Sequence, residues 1–419
     1  MALVRPFHAL RPEPESAAAV TAVPYDVVSR SEAFDLAAGN PLSFLHVSRA
    51  EIDLDPGTDA YDEAVYQAAA DNLETLRAEA PLVVEETASL YFYRLRDGSH
   101  EQTGLAGCYS VDEYDRGVIK KHERTRADKE DDRTRHMLAL GAQTGIVFLT
   151  YRAAVDVDAV RDRACQREAL FDITAPDGVR HTLWRLTDAD QRAVVEAFGR
   201  IPRLYIADGH HRIASAARAR TQLAPANCGN SAAEACYFLA VAFPDSETRI
   251  LPYNRAVADL AGLTRDQFLD ALKARFPVRS IGEPVPPKGQ VAMYLDGQWH
   301  AVEISSGPSE SANDVVAGLD VARLQDQILA PILMVADVRT DPRMVFVGGV
   351  RGTIALEKLV DSGAAAVAFS LAAVTTDELL NVSDADAIMP PKSTWFEPKL
   401  RDGLLIHLIQ TETPNDELH

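Results

Sequence analysis

A chain of 419 residues, 47% of them hydrophobic, is long enough for two or three domains with true apolar cores and too apolar for disorder to be its main state. Its formal charge of -20 excludes a broad nucleic-acid-binding surface, because a duplex reader needs a basic face to displace counterions. The opening Met-Ala-Leu-Val-Arg-Pro-Phe lacks the apolar centre of a signal peptide and no run is long enough to cross a bilayer, so a cytoplasmic location without membrane partners is expected.

Taken in chain order, residues 1–150 are expected to form an N-terminal α+β region. Helical spacing over 62–80 stops before Pro81, a strand over 89–95 enters the Asp97-Gly98 turn, and a hairpin partner follows over 102–109. A helix over 131–140 and a strand over 146–151 complete it. Residues 151–250 form the second region, with helices over 153–170 and 188–198, a strand over 180–186, the apolar strand Leu204-Tyr205-Ile206-Ala207 and a further strand over 237–243. The small, polar stretch 225–232 reads as a flexible insert. Residues 251–419 form a C-terminal α+β region: an amphipathic helix over 263–276, a hairpin around Asp296-Gly297, helical or strand patterns over 320–333, 354–362, 365–371 and 375–382, a closing strand over 404–409 and a mobile tail from Thr411. The whole is an α+β fold with mixed sheets and flanking helices.

The richest chemistry lies in Asp208-Gly209-His210-His211-Arg212, between the strand at 204–207 and an Ala-rich helix. Glycine permits a sharp turn, and the N–H groups opening a helix favour an anion. The same five residues could be a solvated turn. Positive side chains at a helix start oppose the macrodipole, however, and that cost asks for a negative ligand. His210, His211 and Arg212 are therefore candidate phosphate ligands, with His211 and Arg212 expected at the rim of a cleft.

Residues 116–136 hold eight Lys or Arg against five Asp or Glu, a basic island in an acidic chain. Lys120, Lys121 and Arg124 could converge on a polyanion, and Arg133 could grip phosphate oxygens; the competing explanation is a surface helix laced with ion pairs. Glu123 is a candidate base, and Asp131 and Asp132 are weaker candidates for Mg²⁺ because hard oxygen ligands suit that ion. In 389–399 three prolines forbid a regular helix; its two lysines, Lys392 and Lys399, could close over a ligand, with Lys392 the candidate contact, whereas Trp395 and Phe396 are expected to pack on a core. No P-loop, Rossmann glycine pattern or nucleophile elbow is present. The four cysteines form no C-x-x-C pair, and reduced thiols are favoured over a Cys228–Cys236 bridge.

The strand followed by D-G-H-H-R-x-x-A resembles the phosphate-binding signature of the ParB/sulfiredoxin-like superfamily, in particular its free serine kinases. With Val23-Pro24-Tyr25-Asp26-Val27, Lys120-Lys121-His122-Glu123-Arg124-Thr125, Lys129-Glu130-Asp131-Asp132-Arg133 and Met389-Pro390-Pro391-Lys392-Ser393-Thr394-Trp395-Phe396, the chain resembles the bacterial domain-of-unknown-function family 1015 over nearly its whole length. The resemblance implies a ParB/sulfiredoxin-like core with an additional α+β domain. It also implies that His210, His211 and Arg212 hold nucleotide phosphates. The kinases' separate catalytic Glu belongs to a motif that does not align with this sequence, so the resemblance leaves the catalytic base open.

The expected function is a small-molecule kinase that passes a phosphoryl group from ATP or ADP, with Mg²⁺, to a small hydroxy metabolite, free L-serine being the best guess. Positioning and charge neutralisation do most of the work in such a transfer. Asp208 or Glu123 would orient the hydroxyl or the metal, and the phosphates would rest on Gly209, His210, His211, Arg212 and the nearby lysines. A phosphatase acting on phosphoserine or a similar ester is the runner-up. A ParB-like nucleotide-responsive regulator is a third reading, opposed by the acidic charge.

Overall fold

The computed structural model describes residues 3–79, 82–223, 228, 233–304 and 314–410. Most of the stretch 225–232 and the tail from Thr411 lie outside the described residues. The chain divides into two compact units, one of Met1–Lys121, Thr125–Thr248 and Pro398–His419, the other of His122–Arg124 and Arg249–Glu397. Both mix helices with sheets, so the α+β class expected from the sequence holds.

The first unit is built on a nine-stranded sheet. Its path runs Ile119–Lys120, Leu204–Asp208, Val147–Tyr151, Tyr237–Pro244, His100–Ser110, Tyr91–Asp97, Arg180–Arg185 and Phe171–Thr174, with Val4–Arg5 paired separately to His100–Ser110. Leu204–Asp208 is parallel to Ile119–Lys120 and antiparallel to Val147–Tyr151, which in turn is parallel to Tyr237–Pro244. Central strands buried on both faces carry unbroken apolar runs, and Tyr237–Pro244 is buried at every position. One core face gathers Leu149, Tyr109, Phe198, Ile206, Ile213 and Phe238. A second sheet of four strands joins Leu82–Val84, Ala9–Pro12, Ile406–Leu408 and Ala142–Gln143, so the last described strand is tied to one of the first.

The second unit holds a six-stranded antiparallel sheet ordered Val278–Ser280, Gln298–Glu303, Gln290–Leu295, Val367–Leu371, Tyr253–Val257 and Met344–Gly348. Helices Arg265–Lys273 and Thr376–Asp384 each begin with a capping box, Thr264 with Gln267 and Thr375 with Glu378, which satisfies two orphan N–H groups at each helix start. Phe396 is buried and Trp395 meets Tyr253 edge-on at 5.3 Å, the packing expected of that aromatic pair.

Two local expectations are corrected. The helix over 153–170 is only Val155–Ala164, because Phe171–Thr174 leaves it to become the edge strand beside Arg180–Arg185. Cys228 and Cys236 are disulfide-bonded: eight residues apart in sequence, they lie with Cα atoms 5.7 Å apart, within bridging reach. Cys108 and Cys165 are thiols, and burial pushes the Cys165 thiol up to about 11.

Ile206 is fully buried in the strand that ends at Asp208. Ile206→Ala is expected to cost about 2–5 kcal/mol of stability. Denaturant unfolding measures it, and a loss within error of zero would contradict this core assignment.

Candidate active site

The Asp-Gly-His-His-Arg stretch sits where strand becomes helix. The register of Leu204–Asp208 against Val147–Tyr151 shifts between Ile206 and Asp208, an irregularity of the kind that re-aims a strand end. Gly209 follows at φ 95°, a conformation natural only to glycine, and the helix His210–Leu223 begins at once. A Cβ on Gly209 would lie 3.2 Å from Arg212 Cδ, and one on Gly145 would lie 3.3 Å from the same atom. The Arg212 stem thus runs between two glycines that leave it room.

Arg212 is 4% exposed. Nη1 donates to the Ile146 carbonyl at 2.7 Å, and Nη2 donates to both carboxylate oxygens of Asp26 at 2.7 Å. Burial alone would weaken the guanidinium as a base, but Asp26 and Asp208 more than offset it, and Arg212 stays charged. The half-buried Tyr25 ring lies 5.6 Å from the Arg212 guanidinium and 4.3 Å from that of Arg133, within cation–π range of both. Arg133 in turn donates to both oxygens of Asp132 at 2.9 and 3.1 Å, and the Tyr66 hydroxyl donates to Asp132 Oδ1 at 3.0 Å. Burial, then the Asp26 charge, pushes the Tyr25 phenol far above its ordinary value, so it stays protonated.

Asp208 closes the strand with both oxygens engaged: Oδ1 accepts the Gly209 N–H at 3.0 Å and Oδ2 accepts the Lys399 ammonium at 3.0 Å. Burial would raise this carboxyl, but Lys399 and Arg212 outweigh it and hold it well below the usual carboxylate range. His210, 5% exposed, adds to that pull. His211 is half-buried, and its Nε2 accepts the Arg126 backbone N–H at 3.1 Å, which places its own proton on Nδ1. Asp402 lies 2% exposed beside Arg212; burial, resisted by Arg212 and reinforced by Asp26, pushes it up to about 7.

Other residues singled out from the sequence distribute as follows. Lys120 pairs with Tyr205 on the strand next to the site strand. Lys121 lies with its ammonium 3.8 Å from the Tyr114 ring centre, and burial lowers its pKa. Asp131 pairs with Arg218 from the site helix and Asp132 with Arg133, so each already carries a guanidinium. Glu123, Arg124 and Lys392 belong to the second unit, where the Lys392 carbonyl accepts from Arg255 at 2.9 Å. Tyr25, Asp26 and Asp402 have no role in the sequence reading, and Lys399, one of the two lysines of 389–399 expected to close over a ligand, is instead paired with Asp208. The first two lie inside the Val23-to-Val27 pattern and Lys399 ends the 389–399 segment, but nothing near Asp402 marks it.

The expectation of Arg212 at a cleft rim is corrected, because its donors are spent on Asp26 and Ile146 inside the protein. The dipole cost of a cation in the first turn is likewise met by the protein's own Asp26 and Asp208. Removing Arg212 strands the buried Ile146 carbonyl and unpairs Asp26, so Arg212→Ala should lose about 2–4 kcal/mol, read as a lowered melting temperature; an unchanged one would contradict the pairing. Asp208, held below its unfolded value, contributes stability that is present above about pH 4 and is lost as pH falls through its folded value. Lys399→Met should shrink that acid-sensitive part, measured as stability against pH.

Comparison with known proteins adds the lineage. Solved structures similar to this one include a conserved hypothetical protein from Pyrococcus furiosus, 14% identical, covering 72% of this chain and 95% of its own, with a TM-score of 0.35. Free serine kinase in complex with AMP is 11% identical over 72% of this chain and 91% of its own, with a TM-score of 0.36. SbnI with a C-terminal truncation from Staphylococcus aureus is 12% identical over 74% and 90%, also at 0.36. No curated protein matches the chain. Among the described residues no helix is long and apolar enough to cross a membrane. A family model matches residues 4–322, well over half of the sequence and including the whole Asp208-to-Arg212 turn, and the chain belongs to that family, described as Protein of unknown function (DUF1015).

Proposed function

We propose that this protein is a phosphotransferase that moves a phosphoryl group from ATP or ADP to the hydroxyl of a small metabolite, with free L-serine as the first candidate acceptor. The observation that carries the reading is Asp208, a carboxylate held ionised at the mouth of a strand-glycine-helix turn whose next residues are two histidines. An ionised carboxylate there can orient an acceptor hydroxyl or a hard cation, and the helix start can receive phosphate oxygens. His211, in the first turn of the helix, lies where an imidazole can help hold a phosphate oxygen. Arg212 supplies charge from beneath the turn rather than a direct grip, since its fork is occupied by Asp26 and Ile146.

The charge balance speaks for a metal-bound nucleotide. Arg133, Arg212 and Lys399 face Asp26, Asp132 and Asp208, so an incoming bare polyphosphate meets as many carboxylates as cations. Asp26 and Asp132 each have both oxygens held by a guanidinium, so a Mg²⁺ ion would be held through Asp208 with the Lys399 ammonium displaced from Oδ2, and it would keep waters and substrate oxygens for its remaining positions. When bound it would neutralise phosphate charge.

The test is a metabolite screen with ATP or ADP and Mg²⁺, followed by phosphorus NMR, with L-serine among the acceptors. A phosphorylated hydroxy compound is the expected product; inorganic phosphate released from phosphoserine, with no transfer in the other direction, would replace the kinase by a phosphatase. His211→Ala is the cleanest variant because the imidazole is half-buried, whereas the Arg212 guanidinium is buried. It should weaken nucleotide binding or turnover by roughly 1.5–3 kcal/mol, about one to two decades, with little change in melting temperature. Unaltered affinity would remove His211 from the site.

A further inference from the structure

Two carboxylates bear on one guanidinium in the first unit, Asp26 by direct contact and Asp402 through its charge. Arg212 gives Nη2 to Asp26 and Nη1 to the Ile146 carbonyl, and its Nε is buried with no acceptor. Asp402 is 2% exposed, and its Oδ2 is buried with no donor. A buried carboxylate that keeps its charge with one oxygen lacking a donor is expensive, whereas the same group carrying a proton is far less so. Asp402 is fixed in place by backbone bonds in both directions with Ala22, at 3.0 and 3.1 Å, so it cannot simply swing to solvent.

The charged groups that face Asp402 come from three places. The charge of Arg212 acts on it from the helix His210–Leu223, that of Arg133 from the helix Ala127–Leu140, and that of Asp26 from the Tyr25–Val27 turn, whose Tyr25 N–H it accepts. On its own segment, Arg401 is engaged with Asp177 and His181, and Lys399 with Asp208. Arg133 is held by both oxygens of Asp132, which leaves Arg212, among the described residues, as the cation Asp402 can win.

We propose that Asp26 and Asp402 compete for Arg212, so that Asp402 decides whether the Asp26 carboxylate is tied to the site helix or released to solvent beside it. With a proton on Asp402, Arg212 serves Asp26 as observed. When that proton passes to water, the Asp402 Oδ2 becomes a second anion against the guanidinium and takes its Nε or Nη2. Asp26, whose side chain is 36% exposed, is the partner that water can solvate, so it leaves. Tyr25 lies on the same turn and moves with it. Burial and the Asp26 charge place the exchange near neutrality, with Asp402 raised to about 7. The inference concerns these three side chains and holds whatever the site transfers.

The direction of the pH effect follows from linkage. A carboxyl raised in the folded state withdraws stability as pH climbs from its unfolded value near 4 to its folded value, and withdraws no more above that. The full chain, Asp402→Asn, Asp26→Asn and the double variant are compared by thermal unfolding from about pH 5 to about pH 8.5 at constant ionic strength. The melting temperature of Asp402→Asn relative to the parent is expected to rise over that interval and then level. In the Asp26→Asn background the same difference should be flat, because Asp402 then holds Arg212 alone and is ionised throughout. In parallel, carbon NMR of carboxyl-labelled aspartates should show one resonance titrating near neutrality in the parent and moved toward acid by at least about one unit in Asp26→Asn. A pH-independent difference, with no aspartate titrating near neutrality, overturns the proposal. If Asp402→Asn does not fold, the parent and Asp26→Asn decide it: a neutral titration that Asp26→Asn leaves in place overturns the competition as surely.

Discussion

Burying the Arg212 guanidinium is the constraint from which the surrounding structure follows. A charge removed from water must recover its hydration from fixed partners, and the desolvation cost is several kcal/mol per ion in real proteins. Here the partners are a backbone carbonyl at 146 and the two oxygens of Asp26, 186 residues away in sequence. Each partner dictates more of the chain: a Cβ at Gly145 or Gly209 would crowd the stem, Gly209 adopts positive φ, and the 23–27 segment turns so that Asp26 reaches inward while Tyr25 lays its ring near two guanidinium groups.

The same arrangement resolves the conflict at the start of the site helix. Cations in a first turn are opposed by the helix dipole. Arg212 escapes this by running back beneath the turn, and Asp208 supplies negative charge in front of the helix while accepting the Gly209 N–H. Asp208 is itself secured by Lys399, so cation and carboxylate alternate through the centre of the unit. Such a network is costly when half made and rigid when complete.

Much of this was legible in the sequence. The strand, glycine and helix at 204–223 follow from an apolar run, a positive-φ residue and an Ala-rich stretch, and all three are where the pattern put them. Hairpin signals at Asp97-Gly98 and Asp296-Gly297 gave paired strands for the same local reason. What stayed hidden is long-range. Nothing in the neighbourhood of Asp26, Lys399 or Asp402 tells that they meet Arg212 and Asp208, because ion pairs between distant residues leave no periodicity to read. The rim placement of Arg212 failed for that reason: propensity sees a cation at a helix start, whereas tertiary pairing decides which way it points. The Cys228–Cys236 bridge was missed because spacing alone cannot show that two Cα atoms come within reach.

Because the pieces come from residues near 26, 133, 208–212 and 399–402, the network cannot be completed by any contiguous fragment. The strand Ile406–Leu408 joins Ala9–Pro12 on one side and Ala142–Gln143 on the other, and this sheet is what fixes the 399–402 segment next to residues that precede it by nearly the whole chain. Contacts of such separation carry the largest loop-closure cost and are rewarded only after the local elements exist. Until they close, Arg212 and Asp208 can remain hydrated, and burial of their charge coincides with arrival of their partners. A fold that seals its ionised groups together with their counter-charges avoids an intermediate in which either is buried alone, and the terminal segment is the part of the chain that makes this so.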